Sequence, residues 1–164
     1  MKRSALIRRK NLLDAGITNS HLMNLTQRDE YFKNRKGEKS FFTPADTLLV
    51  FIASELSDFF PFRNVSEVVR ELSKYYPHLY RLLKQNPKQF LAVDETLDLE
   101  KEKKFGIESY HYVTYPLLID ELKVLDWENH KKMVLVNLEK IYTRIEKLFE
   151  TEGIIIHTGD IVDS

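Results

Sequence analysis

Apolar residues near the start of the chain recur at helical spacing and are interrupted once, at Gly16. Leu12 and Leu13 precede the interruption, whereas Leu22 and Leu25 follow it and give a second helix an inward face. Gly often ends a helix, because it adopts positive φ without steric conflict. The pattern therefore predicts a helix, a tight turn and a second helix, which is the arrangement of a helix-turn-helix.

The outward positions of the second helix are polar. Asn and Gln side chains can hydrogen-bond to adenine in the major groove of DNA, and Arg can bind guanine or a phosphate. The pattern therefore predicts a DNA-recognition helix, although a helical hairpin with solvated polar residues is the alternative that the sequence leaves open. The candidate DNA-binding residues at the start and on the outer face are Thr18, Asn19, Ser20, His21, Asn24, Gln27 and Arg28.

A basic segment follows this second helix. Tyr31-Phe32 and Phe41-Phe42 flank a turn that contains Gly37, and such flanks are typical of a β-hairpin. This hairpin, or wing, would place its cations along a phosphate backbone. An exposed basic turn without a ligand is the alternative. The cations of the segment are Lys33, Arg35, Lys36 and Lys39.

Three further helices are predicted before residue 86. Thr43 can cap the first of them, with Pro44 at its first position and Asp46 in its first turn. Asn64 and Glu67 have the spacing of a capping box at the start of the second, which should end before the next proline. The third is a short helix through residues 79–83.

These elements together resemble the winged helix-turn-helix of the MerR family of transcriptional regulators. The resemblance covers residues 6–76 and rests on residues 12–18 for the first helix and turn, 37–42 for the wing and 43–46 for the next helix start. Leu22-Met23-Asn24 stands where the family's second helix often has Arg-Tyr-Tyr. The resemblance implies a DNA-binding domain in a dimeric regulator.

The second half of the chain has a different pattern. Segments rich in β-forming residues predict short strands at 89–93, 110–115 and 154–157, which would form a small antiparallel sheet. The charged segment 94–104 predicts an exposed loop or a frayed helix. The expected fold is mainly α, in the α+β class. Residues 1–85 are predicted to form the winged helix-turn-helix domain, and residues 86–164 a module for dimerisation or for binding a partner or ligand.

The longest helical pattern covers residues 127–152 and is closed by Gly153. Its apolar residues alternate between spacings of four and three, as in a coiled coil. The pattern fits either a helix packed in the chain's own core or a self-association helix. A long helix after the DNA-binding domain dimerises MerR-like proteins, so the resemblance favours a homodimer. The residues of the expected dimerisation seam are Val134, Leu138, Ile141, Ile145 and Leu148.

Composition narrows the functional classes. The chain of 164 residues has no Cys, which excludes thiolate chemistry and Cys-based zinc sites. It also has no apolar run long enough to span a membrane. The charged N-terminus lacks the apolar core of a secretory signal, so a cytoplasmic location is expected. The five His residues are scattered, and no phosphate loop or catalytic motif is present. We therefore expect no catalytic residues, no metal and no cofactor.

The net charge of the chain is zero, but its positive and negative residues are unevenly distributed. Residues 1–43 carry ten Lys/Arg and four Asp/Glu, whereas residues 44–164 carry 15 and 21. A basic region attracts polyanions through Coulomb forces and counterion release. The expected function is sequence-specific binding of double-stranded DNA by a dimeric transcriptional regulator. The alternative is a non-enzymatic protein-interaction adaptor whose N-terminal domain does not bind DNA.

Overall fold

The computed structural model describes residues 5–33, 41–97, 112–119 and 132–156. Within these residues the chain is mainly helical and has two small antiparallel sheets, in agreement with the expected α+β class. The helices are α1 (Arg9–Asp14), α2 (Asn19–Arg28), α3 (Glu30–Lys33), α4 (Pro44–Leu56), α5 (Phe62–Tyr75), α6 (Leu79–Gln85) and α7 (Leu138–Thr151). The strands are β1 (Ile7–Arg8), β2 (Phe41–Phe42), β3 (Phe90–Leu97), β4 (Tyr112–Ile119) and β5 (Lys132–Asn137).

The first sheet connects the segment before α1 with the segment before α4. β1 pairs antiparallel with β2, so that Ile7 lies opposite Phe42. The expected wing is wrong in its first strand, because Tyr31 and Phe32 lie on α3. α3 forms there because the Asp29 carboxylate accepts hydrogen bonds from both of their backbone N–H groups, at 3.0 and 3.3 Å. Residues 34–40, the rest of the expected wing, lie outside the described residues.

The start of α4 agrees with the sequence prediction. The Thr43 hydroxyl accepts a hydrogen bond from the Asp46 N–H at 3.1 Å, and the Asp46 carboxylate accepts one from the Thr43 N–H at 2.9 Å. The capping box expected at Asn64 and Glu67 is wrong, because α5 begins before Asn64. Pro61 precedes α5 in an extended conformation, and the Asn64 N–H donates to the Pro61 carbonyl at 3.0 Å. Asn64 therefore lies inside the first turn.

The second sheet has its strands in the order β4–β3–β5, and each pair is antiparallel. β3 and β4 confirm two of the expected strands, with longer bounds. The exposed loop or frayed helix expected over residues 94–104 is wrong at 94–97, which pair with β4 as part of β3, and residues 98–104 lie outside the described residues. The third strand was expected at 154–157, but residues 154–156 are not a strand. Instead, the Ile154 N–H donates to the Phe149 carbonyl at 2.9 Å and helps to end α7. His157 lies outside the described residues.

The C-terminal helix is shorter than its apolar pattern predicted. α7 begins at Leu138, because residues 132–137 form β5. Val134 therefore lies on a strand, and the expected seam is wrong at its first position. The apolar residues 133–136 include two Val, which suits pairing with β3. The Asn137 side chain then accepts a hydrogen bond from the Lys140 N–H at 3.0 Å and caps the helix. Residues 127–131, where the helix was expected to begin, are outside the described ranges.

One cluster of buried hydrophobic residues connects the two halves of the chain. It includes Leu22 and Leu25 of α2, Phe51 of α4, and Ile145 and Phe149 of α7. α4 is at its centre, since this helix contacts α2, α5, α6, α7 and β5. A helix that is hydrophobic on all sides is expected to be buried. The segments 1–85 and 86–164, expected to be separate domains, therefore share a core where they are described.

Candidate nucleic-acid interface

The turn between α1 and α2 depends on Gly16. This residue has a φ of +95°, which residues with a side chain rarely adopt. The Ile17 N–H donates to the Leu12 carbonyl and the Gly16 N–H donates to the Leu13 carbonyl, both at 3.0 Å. Ile17 and Leu12 are also both buried. Together these features form a Schellman motif, so the predicted helix, tight turn and second helix are confirmed.

Two side chains organise the start of α2. The Thr18 hydroxyl accepts a hydrogen bond from the His21 N–H at 3.2 Å and thereby caps the helix. The Arg9 guanidinium donates to Asn19 Oδ1 at 2.8 Å and connects α1 with α2. Thr18 and Asn19, which were expected to contact DNA, are exposed. Both already form hydrogen bonds that support the local fold.

The outer face of α2 carries exposed polar side chains, as the sequence predicted. Ser20, Gln27 and Arg28 are exposed, and Asn24 is half-buried. Met23 also lies on the surface of α2 and is 42% exposed. The surface is therefore mixed, with polar groups suited to base edges beside one flexible apolar side chain.

His21 lies partly buried against α4 rather than on the outer face. Its Nε2 atom is buried and has no hydrogen-bond partner. Burial lowers the pKa of His21 because it disfavours the charged imidazolium, and a backbone hydrogen bond with Val50 offsets part of this effect. The expected outward position of His21 is therefore wrong. The sequence contained an indication of this, because His21 precedes the buried Leu25 by four positions and so shares its face of the helix.

The end of α2 is anchored to α5. The Arg28 guanidinium lies over the Phe62 ring, 5.5 Å from its centroid. The next residue, Asp29, is buried and accepts a hydrogen bond from the Ser66 hydroxyl. Burial raises the pKa of Asp29, although its hydrogen bonds from Ser66 and from backbone N–H groups oppose the increase. The sequence carries no local signal for this anchor, because Asp29 and Ser66 are 37 positions apart.

Several cations lie on the elements next to α2. Arg8, Lys10 and Lys33 are exposed. Residues 5–33 carry five Lys/Arg and three Asp/Glu, and one of these acids, Asp29, is buried. The exposed charge of this segment is therefore basic. The remaining cations expected on the wing lie outside the described residues: Arg35, Lys36 and Lys39.

A cation of α7 reaches the turn between α1 and α2. The Arg144 guanidinium donates to the Ala15 carbonyl at 3.4 Å and lies 3.4 Å from the Glu55 carboxylate. It also lies 4.7 Å from the centroid of the Phe51 ring. The C-terminal helix therefore contacts the α1–α2 turn directly. The contacts of Arg144 have no local signal in the sequence, because Glu55 and Ala15 precede it by 89 and 129 positions.

The residues of the expected dimerisation seam pack within the chain itself. Leu138, Ile141 and Ile145 are buried in the shared core, and Leu148 is partly buried against it. Val134 packs against the same core from β5. Of the two interpretations left open by the sequence, the structure shows a core helix. Homodimerisation stays a prediction with no surface assigned to it.

Within the described ranges, no helix is long and apolar enough to cross a membrane. The same residues include no group of three or more potential metal ligands. Comparisons of the chain with family models, with curated proteins and with solved structures found no match. The resemblance to the MerR family therefore rests on the sequence motifs themselves.

Proposed function

We propose that this chain binds double-stranded DNA with sequence specificity and regulates transcription. α2 acts as the recognition helix in the major groove, and neighbouring cations contact phosphates. One observation carries the proposal: the Gly16 turn joins two helices and leaves Ser20, Gln27 and Arg28 exposed on the second.

The side chains around α2 suit two different kinds of contact. Gln27 can form a bidentate pair with adenine, and Arg28 can form one with guanine. Lys10 and Lys33 are cations on the neighbouring helices and suit phosphate oxygens. Arg28 is held over Phe62 of α5, so its position is partly organised before DNA binds. In the proposal α2 thus reads the bases, while the surrounding cations position the protein.

The first test is the salt dependence of duplex binding. Fluorescence anisotropy with a labelled random duplex should give micromolar or tighter binding at about 50 mM salt, and much weaker binding at about 200 mM, because bound phosphates release counterions. Absence of binding at the lower salt concentration would contradict the proposal.

Substitutions then separate base recognition from phosphate contact. Arg28→Ala and Gln27→Ala should each lose about 1–3 kcal/mol at one base pair of a selected site and relax the preference there. Lys36→Ala should weaken binding to all duplexes alike and reduce the salt dependence. Arg81→Ala, which removes an exposed cation from α6, is the matched control and should change neither property. If Arg28→Ala and Arg81→Ala behave alike on selected and random duplexes, the role given to α2 is wrong.

The second candidate function is that of a protein-interaction adaptor, and Met23 favours it. Met23 is an exposed and flexible apolar side chain on α2. Met is common on surfaces that bind protein partners. If the chain fails to bind any duplex at low salt, this function replaces DNA binding, with Met23 in the expected contact.

A further inference from the structure

A groove lies between the C-terminal end of α4, strand β5 and the start of α7. Its volume is about 390 Å³, within the range of roughly 300–1,000 Å³ that is typical of small-molecule sites. Its apolar walls include Phe59, which is 52% exposed, Leu135 of β5 and Ile141 of α7. The groove therefore offers an apolar surface of a size that suits a small ligand.

Two cations line the same groove. Lys140 and Arg144 are four positions apart on α7, so their side chains lie on one face of the helix. Among the lining residues that the structure describes, Glu55 is the one acid. These described lining residues therefore carry one excess positive charge, and a ligand with a single carboxylate would neutralise it.

Arg144 already contacts one carboxylate in this groove. Its guanidinium lies 3.4 Å from Glu55 Oε1, and the two side chains are 47% and 50% exposed. An exposed ion pair of this kind contributes little to stability, so a ligand carboxylate can share or replace the contact. The Lys140 ammonium group has no ion-pair partner in the described part of the chain. Both cations are thus accessible to an anionic group.

We propose that this groove binds a small amphipathic carboxylic acid. The apolar part of the ligand contacts Phe59, Leu135 and Ile141, and its carboxylate contacts Lys140 and Arg144. A neutral ligand would leave the excess positive charge without a partner, whereas a dianion would exceed it. The inference goes beyond DNA binding and does not depend on it.

Titration of the full chain with octanoate, followed by backbone amide NMR signals, tests this proposal. Octan-1-ol, which has the same apolar chain without the charge, is the matched ligand. We expect octanoate to shift the signals of residues 55–59 and 135–141. We expect octan-1-ol to bind about tenfold more weakly, because it lacks the charge-assisted hydrogen bonds.

Variants of α7 and β5 locate the two parts of the ligand. Lys140→Gln changes an exposed side chain and should weaken octanoate binding several-fold without changing the affinity for octan-1-ol. Lys147→Gln, on the same helix but outside the groove, is the matched control and should change neither affinity. Leu135→Glu introduces an acid into the apolar wall and should abolish octanoate binding. Circular dichroism verifies that each variant is folded.

Three outcomes would overturn the assignment. Millimolar octanoate that shifts no groove signals would exclude the site itself. Equal affinities for octanoate and octan-1-ol would exclude a role for the carboxylate. Unchanged octanoate binding by folded Lys140→Gln would remove the proposed cationic contact. None of these measurements involves DNA, so their results are separate from those that test the proposed function.

Discussion

The α1–α2 region and the β5–α7 region use the same local devices to delimit their helices. Thr18 caps α2 and Asn137 caps α7, each through a side-chain oxygen that accepts a backbone N–H three residues later. Gly16 and Gly153 end α1 and α7, with φ values of +95° and +69°. After each Gly, an Ile N–H donates to the carbonyl five residues earlier. The hydrogen bonds that cap the helix ends in both regions are therefore local.

The two regions differ in how far apart along the chain their contacting residues lie. The α1–α2 turn is closed by the bond between Ile17 and Leu12. By contrast, β5 pairs with β3, where Val136 lies opposite Leu91. Caps and glycines therefore mark the ends of a helix, whereas pairing with a distant segment decides whether an adjoining apolar run becomes helix or strand.

Ile145→Asp should cause the largest loss of stability in both regions, because it places a carboxylate in the core that they share. Ile145 of α7 is fully buried. Lost packing and an unpaired buried charge together should reduce the free energy of unfolding by at least about 3 kcal/mol. Urea unfolding followed by circular dichroism and NMR should show that α1–α2 and α7 unfold together, at a lower urea concentration than in the wild type.

Lys147→Asp is the control for this substitution, since Lys147 lies two residues later on α7 and is exposed. It should change the free energy of unfolding by no more than about 0.5 kcal/mol. A stable, monomeric Ile145→Asp variant from a dimeric wild type would show instead that α7 pairs between chains.

Gly16→Ala and Gly153→Ala compare the same device in the two regions. No atom lies within 4 Å of the position that a Cβ would occupy at either Gly, so the effect comes from the backbone conformation. The φ of Gly16 lies beyond the left-handed region of about +50 to +70° that other residues can adopt, whereas that of Gly153 lies inside it. We expect losses of roughly 1–2 kcal/mol for Gly16→Ala and about 1 kcal/mol or less for Gly153→Ala.

Urea unfolding measures both losses of stability, and duplex binding by the two folded variants then tests whether the two glycines differ in their effect on function. Gly16→Ala should weaken DNA binding, because it disturbs the turn that positions α2. Gly153→Ala should leave binding unchanged. Equal effects of the two substitutions on the Kd for DNA would show that the α1–α2 turn has no special role in positioning α2 for DNA binding.

The smallest expected effect is a pH dependence that originates in the α1–α2 region. Burial lowers the pKa of His21 below its ordinary value of 6.5. The stability due to neutral His21 is therefore fully present above pH 6.5 and is lost as the pH falls through the lower pKa of the folded state. Between pH 7.5 and 5.5, the wild type should lose more stability than His21→Gln in urea unfolding experiments.

His78→Gln is the matched control for this pH dependence, because His78 is an exposed histidine outside the α1–α2 region. It should show the same decrease in stability as the wild type. If His21→Gln also shows the wild-type decrease, the buried imidazole is not its origin.

Features that depend on near neighbours could be predicted from the local sequence. The Thr43–Asp46 capping box and the Gly16 turn each involve residues no more than five positions apart, so side-chain chemistry and allowed φ values are sufficient to predict them. The exposure of Gln27 and Arg28 was also predictable, because it follows from the helical period and the buried leucines of α2.

Features that depend on distant partners are visible only in the folded chain. Residues 133–136 are compatible with either helix or strand, and they form β5 because their backbone N–H and C=O groups pair with those of β3. The spacing between His21 and Leu25 indicates which face of α2 His21 occupies, but His21 is partly buried only because α4 packs against that face. Arg144 lies at once beside the α1–α2 turn and in the groove because α7 packs on α4. Burial of apolar surface in one core brings these segments together, and their separation along the chain is too large for local periodicity to indicate the contact.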